Sequence, residues 1–356
     1  MAEVVLRRHD FTAGWVSALP IELAAAQEML DEEHEDYSID LDDPSPYTFG
    51  RIGEQNVVLA SLPGGQMGTN SAAAVAGQMI KDFPSLRFCL MVGTGGGVPN
   101  ASADIRLGDV VVSQPHGNHG GVIQYDFGKA KPDKFDRTGF LNAPPTFLLT
   151  AVAKLEARRL RSKDNLSTHL SALTARLPRF SRDNAGPDRL FRPQYKHPSS
   201  NPTCDECAQE HLVDRPPRDR PTVVVHHGAV GSGNKLIRDG VSRDKLSSEL
   251  GGVLCFEMEA AGLMNRFPCL VVRGISNYAD SHKNKAWEPY AAAAAAAYAK
   301  ELLLSITPPR LHSAPLESPQ YPAPHARQLI TLPLMQRSSP WSEQTREYAT
   351  YSFGGT

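Results

Sequence analysis

The chain has 356 residues, 41% hydrophobic and 21% charged, and its 37 Lys+Arg against 39 Asp+Glu leave a formal net charge of −2 at pH 7. That length provides for one large α/β core or two smaller ones, and the near-neutral balance argues against a nucleic-acid partner, which calls for a basic field or stripe. No apolar run approaches the roughly eighteen residues of a membrane helix, and the N-terminus lacks the apolar core of a signal peptide, so no membrane contact and a cytoplasmic location are expected. Five scattered cysteines are too few for a disulfide framework and leave at least one free thiol.

Residues 12–18 are small or β-favouring, and 21–30 then take helical spacing through Leu23, Ala26, Met29 and Leu30, which predicts a strand feeding a helix. The acidic stretch 31–46 closes on prolines and reads as a loop; 47–52 and 56–62 read as strands turned at Gly53-Glu54. Glycine-rich 63–68 opens a helix at 70–83, and 86–92 is a continuous apolar run suited to a sheet covered on both faces. After the glycine loop 93–97 come a strand at 109–113, a polar loop to 137 and a helix at 146–159. Residues 176–221 are proline-rich with little apolar periodicity and read as a loop-rich insertion. Regular structure resumes with a strand at 222–227, a helix around Lys245, the segment 253–264, a strand at 269–273 and a helix at 290–305. The proline-rich tail 307–356 has too little apolar surface to order itself. Alternating strands and helices predict a single α/β domain over 11–306, with a central mixed β-sheet flanked by helices.

Four segments carry groups suited to chemistry. Phe256-Glu257-Met258-Glu259-Ala260-Ala261 places two carboxylates at a strand-to-helix junction, where alternation sends at most one into a pocket floor. The strand 271–275 ends in Ser276-Asn277-Tyr278-Ala279-Asp280, and ligand crevices in open α/β sheets lie outside such carboxyl ends. Gly93-Thr94-Gly95-Gly96-Gly97 follows another buried strand and lets a ligand approach the backbone, but matches neither a dinucleotide fingerprint nor a P-loop. Glu22 lies just beyond the first strand; alone it is a helix-start residue.

Together with Ala18-Leu19-Pro20-Ile21-Glu22, Gly108-Asp109-Val110-Val111-Val112-Ser113 and Gly228-Ala229-Val230-Gly231-Ser232-Gly233-Asn234, these motifs resemble the purine nucleoside phosphorylase and methylthioadenosine/S-adenosylhomocysteine nucleosidase superfamily, closest to its fungal branch. The resemblance implies a homo-oligomer that cleaves the N-glycosidic bond of a small-molecule purine nucleoside or nucleotide, with adenine the expected base and no cofactor needed for the chemistry. It implies catalytic roles for Glu22, on the nucleophilic water, and Asn277, on the base. It also implies substrate contacts from Thr94, Gly95, Gly96, Leu236, Ile237 and Met258, with Glu259 gripping the ribose hydroxyls. The family's general acid is replaced by Asn277, which donates a hydrogen bond but transfers no proton. Asp280 is the candidate stand-in. The loop 17–22 lacks the arginines of phosphorylases, which favours water over phosphate as nucleophile, with Arg51 the candidate exception. A phosphate-dependent phosphorylase and a weakly active nucleoside-binding sensor are the competing readings.

Within the insertion, Cys204-Asp205-Glu206-Cys207 lies between His197 and His211. A structural zinc on Cys204, Cys207 and His197 is one reading; free thiols and a reversible disulfide are the others. The run Arg215-Pro216-Pro217-Arg218-Asp219-Arg220 reads as a solvated charge run or as a contact to a 5′-phosphate.

Overall fold

The structure, a computed structural model, describes residues 6–34, 47–100, 102–132, 134–198, 203–218 and 223–307. The expected tail beyond 307 and most of the expected acidic loop, 35–46, lie outside them. Strand β1 (Ala13–Ser17) feeds helix α1 (Pro20–Gln27), whose first position is Pro20, where a missing N–H costs nothing. Short β2 (Glu32–His34), β3 (Tyr47–Ile52) and β4 (Gln55–Ser61) pair antiparallel in turn, and α2 (Thr69–Asp82) leads into β5 (Phe88–Gly97). Next come β6 (Val110–Ser113), β7 (Val122–Gln124), a hairpin of β8 (Gly128–Lys131) with β9 (Lys134–Arg137), and helices α3 (Thr146–Leu160) and α4 (Leu166–Arg176). Beyond the irregular excursion lie β10 (Val225–Gly228), β11 (Val230–Ser232), α5 (Gly240–Glu249), β12 (Cys255–Glu257), α6 (Ala260–Leu263), β13 (Cys269–Asn277) and α7 (Glu288–Ser305).

The main sheet is mixed, in the order β10-β6-β13-β5-β1-β4-β3-β2, with β12, β11 and β7 branching from β5. The long strand β5 is central, running parallel to β1 on one side and to β13 on the other. Its apolar residues alternate between two cores. Phe88, Leu90 and Val92 join the core under α1, α3, α4 and α7, whereas Cys89 and Met91 join the core under α2 and α6. A strand that faces helices on both sides needs apolar residues at every position, which explains its uninterrupted run. The alanine stretch of α7 is buried on all sides, and its Ala291 carbonyl comes so near Gly274 that a Cβ there would lie 1.9 Å from it. Small residues on both partners permit that approach.

The expected glycine loop at 93–97 is strand. Gly96 and Gly97 pair with β12 while Gly93 to Gly96 pair with β13, so ladders on both sides hold the backbone extended. The expected polar loop to 137 contains β7 and the β8–β9 hairpin, and α4 arises just before the insertion.

Candidate active site

The site is assembled at the carboxyl ends of β1, β5, β12 and β13. At the β1–α1 junction Glu22 is the third residue of the helix, so its carboxylate turns back on the helix start. Its Oε2 accepts from the N–H groups of Ala18 and Leu19 at 2.9 and 3.0 Å. Its Oε1 reaches β5 and accepts from the N–H and hydroxyl of Thr94 at 2.7 and 3.0 Å. The carboxylate is therefore a helix cap and a cavity wall at once. Gly93 is compulsory here, since a Cβ would stand 2.6 Å from the Arg273 guanidinium and 2.7 Å from the Glu22 carboxyl.

Arg273 is fully buried in the middle of β13, a position between apolar neighbours that a cation occupies only when paired. One of its terminal nitrogens bonds to Glu257 Oε2 and lies 3.4 Å from Glu259 Oε2. Burial works against the Arg273 charge, but the carboxylates of Glu257, Glu259 and Glu22 outweigh it and raise its pKa. Both glutamates of the 256–261 motif are thus buried and face the same cavity, contrary to the alternation expected from sequence. The reason is that β12 ends at Glu257 and the chain turns at once into α6, so period-two alternation stops between the two residues. Glu257 accepts from the N–H groups of Glu259 and Ala260, at 3.1 and 3.0 Å to Oε2, capping α6. Burial pushes the Glu259 carboxyl up to about 7, opposed by Arg273 and reinforced by Glu257 and Glu22.

At the end of β13 the register slips by one residue between Ile275 and Asn277, a bulge that lets the consecutive Ser276 and Asn277 both line the cavity. The Asn277 amide is oriented by its neighbours. Its Oδ1 accepts from Ala279 N–H at 2.9 Å, and its Nδ2 donates to Ser276 Oγ at 3.1 Å, leaving its second N–H to donate elsewhere. Ala279 is held at φ +49°, a left-handed conformation rare for a residue with a side chain.

Glu22, Thr94, Gly95, Gly96, Leu236, Ile237, Met258, Glu259 and Asn277 all line one cavity of about 90 Å³. Phe256 and Glu257, named from sequence only as part of their motif, also line it, together with Tyr125, Lys235 and Lys283, which were not singled out from sequence, nor was Arg273 behind them. For Arg273 a signal existed, a lone charge inside an apolar strand; for Lys283 none did. A second cavity of about 790 Å³ shares Leu19, Met67, Thr94, Leu236 and Lys283 with the first and adds Arg179, Arg238 and Lys285. Asp280 does not line this cavity but a neighbouring one that Ser276 and Asn277 also border, and its Oδ1 caps His282 N–H at 2.9 Å. Arg51 is exposed and paired with Glu32 at 2.8 Å. Arg215 and Arg218 are tied to Asp188 and Asp109, so these two residues of the charge run act as internal struts. Metal-binding atoms of His197, Cys204 and Cys207 converge, whereas His211 instead stacks on Tyr195 with ring centroids 4.2 Å apart.

A model of the phosphorylase superfamily matches residues 13–304. An NLR-like protein of the fungus Hyaloscypha variabilis is 46% identical over 307 residues, which is 86% of this chain and 30% of that protein. The ATP nucleosidase Cap17 of Escherichia coli is 26% identical over 292 residues, 79% of this chain and 48% of its own length. This chain therefore spans half or less of either relative. Among solved structures, the futalosine hydrolase of Helicobacter pylori superposes with a TM-score of 0.53 at 15% identity, covering 83% of this chain and 98% of that one. The methylthioadenosine/S-adenosylhomocysteine nucleosidase of S. pneumoniae gives 0.52 at 16%, covering 83% and 100%. At such identities the likeness is one of fold. With the family model spanning most of its length, the chain belongs to the phosphorylase superfamily.

Proposed function

We propose that the chain hydrolyses the N-glycosidic bond of a purine nucleotide, releasing the base, with adenine preferred. The observation that carries this reading is the convergence of Glu22, Glu259 and Asn277 on one cavity. In this reading the buried Glu259 carboxylate accepts from the ribose hydroxyls, and charged acceptors make the stronger hydrogen bonds. Glu22, with Thr94 beside it, orients a water toward C1′. As the C1′–N9 bond breaks, its electron pair moves onto the purine, and the free N–H of Asn277 stabilises the charge developing there, while solvent supplies the proton. Phe256, Ile237 and Ala279 give the cavity the apolar wall that a base needs. Two further observations bear on the substrate. The cavity wall contains lysines but, among the described residues, no arginine, which favours water over phosphate as the nucleophile. The adjoining basic cavity, with Arg179, Arg238, Lys283 and Lys285, suits a 5′-phosphate chain, in keeping with the ATP nucleosidase relative.

The test is base release from ATP, AMP, adenosine, their guanine counterparts and pyrimidine controls, with and without inorganic phosphate. Free adenine from the nucleotides without phosphate is expected; strict dependence on phosphate would make the enzyme a phosphorylase. One observation favours a binding module, namely that Asn277 has no proton to give, so that roughly 10²–10⁴-fold of general-acid catalysis is missing. Nucleotide binding without release would select that reading. The same proposal includes assembly with a second copy, supported by Phe127, Phe135 and Phe140, which are 57%, 46% and 82% exposed on and beside the β8–β9 hairpin. Sedimentation that gives a monomer would remove it.

A further inference from the structure

The described residues of the excursion between α4 and β10 have little regular structure, yet they grip the loop that follows Asn277. They contain three short 3-10 turns and one isolated bridge, Phe191 to Leu212. Beside a few buried side chains, among them Phe180, Leu190 and Phe191, contacts to the loop after β13 hold the excursion. The Arg215 guanidinium donates to the Tyr278 hydroxyl at 2.9 Å, and His197 N–H donates to Ser281 Oγ at 2.9 Å. Cys204 Sγ lies 3.8 Å from the His282 carbonyl oxygen. The His282 ring stacks on Phe191 at 4.2 Å and meets the His197 ring edge-on at 5.4 Å.

Within this contact, the metal-binding atoms of His197, Cys204 and Cys207 all lie within 4.8 Å of one another. We propose that these three side chains hold a zinc ion that staples the excursion onto the loop that follows Asn277. Two thiolates and an imidazole are the donor set zinc favours, and bonds of about 2.0–2.3 Å set the ligand atoms of a tetrahedral ion roughly 3.5 Å apart. Modest contraction of the cluster achieves that. A second observation points the same way. His282, only 8% exposed and beside this cluster, makes no hydrogen bond through either ring nitrogen, the Asp280 carboxylate standing off at 3.7 Å from Nδ1. A buried imidazole left so is costly, and a polar neighbour such as a metal-bound water relieves it. A chain segment this poor in core gains its order from such a site, because the metal's binding energy is also folding energy.

The test is independent of catalysis. The full chain, purified under reducing conditions, is assayed for metal by elemental mass spectrometry, and zinc is then exchanged for cobalt. Expected are a single zinc per chain and, with cobalt, the visible bands of a tetrahedral thiolate site. Cys204→Ser and His197→Gln alter partly exposed positions, so folding survives while zinc retention falls roughly tenfold or more; His211→Ala, outside the cluster, retains it. A chelator should open the excursion to protease while the sheet stays protected. No zinc in the purified chain and none taken up from a zinc buffer would overturn the proposal, as would full retention by Cys204→Ser or a disulfide between Cys204 and Cys207.

Discussion

Around Arg273, three carboxylates share one guanidinium, and this imbalance has measurable consequences. Because burial raises the Glu259 pKa from the ordinary 4.5 to about 7, the folded state holds a proton that the unfolded state has released. Its contribution to stability is therefore complete below pH 4.5 and is lost as the pH rises through about 7. Thermal unfolding followed across that window should show a decline that Glu259→Gln flattens; identical slopes in the two proteins would place the titration elsewhere. The same proton gives the sign for binding, since ribose hydroxyls need the ionised acceptor: KM should rise as the pH falls below 7. Glu22→Gln should lower turnover by roughly 10²–10⁴-fold with nucleotide binding retained, and because the glutamine oxygen still accepts from the N–H groups at the helix start, stability should change little. An unchanged rate removes Glu22 from the mechanism. Arg273→Met leaves buried carboxylates without a counter-charge and should cost about 3–5 kcal/mol, read from denaturant unfolding. At this scale the sequence was informative for Glu22, Glu259 and Asn277 only through the resemblance that their motifs carry. A short motif cannot show that Glu257 and Glu259 turn to one side, because that depends on where β12 stops.

Among the elements, the strands with continuous apolar runs were legible because burial on both faces leaves only one kind of residue suitable. Glycines 93–97 were not, because glycine reads as loop until partners on both edges are known; β12 and β13, more than 150 residues downstream, supply them. The helix α4 escaped notice as its apolar residues, Leu166, Leu170 and Leu173, are few and lie next to the proline-rich insertion. Close approach of α7 to β13 gives a sharp test. Gly274→Ala sets a methyl 1.9 Å from the Ala291 carbonyl, so helix and sheet must part, at a cost of about 1–3 kcal/mol or more. A melting temperature equal to that of the parent would show that α7 is less firmly seated than the packing implies.

For the whole molecule, the excursion 176–221 is more than a decoration. Asp188 and Arg215 both reach Tyr278, the residue after Asn277, so a segment outside the cavity fixes part of its wall. Arg215→Ala leaves the Asp188 carboxylate and the Tyr278 hydroxyl short of a partner and should lower stability by about 1–3 kcal/mol. It should also change KM or turnover through Asn277; a stability loss with unaltered kinetics would show that the loop holds its shape alone. None of this was visible in the sequence, where Asp188, Arg215 and Tyr278 are spread over 90 positions without a shared pattern.

The strand order sets a timetable for synthesis. The apolar edge of β5 that receives β13 is complete once residue 97 has emerged, but its partner is encoded at Cys269–Asn277. Throughout the intervening translation the nascent chain presents an unpaired hydrophobic strand edge, the type of surface that invites wrong partners or chaperones. Arg273 and Asn277 lie within β13 itself, so a ribosome that stalls before it yields a sticky fragment that has Glu22 and Glu259 but lacks their buried guanidinium and the Ser276–Asn277 wall of the cleft.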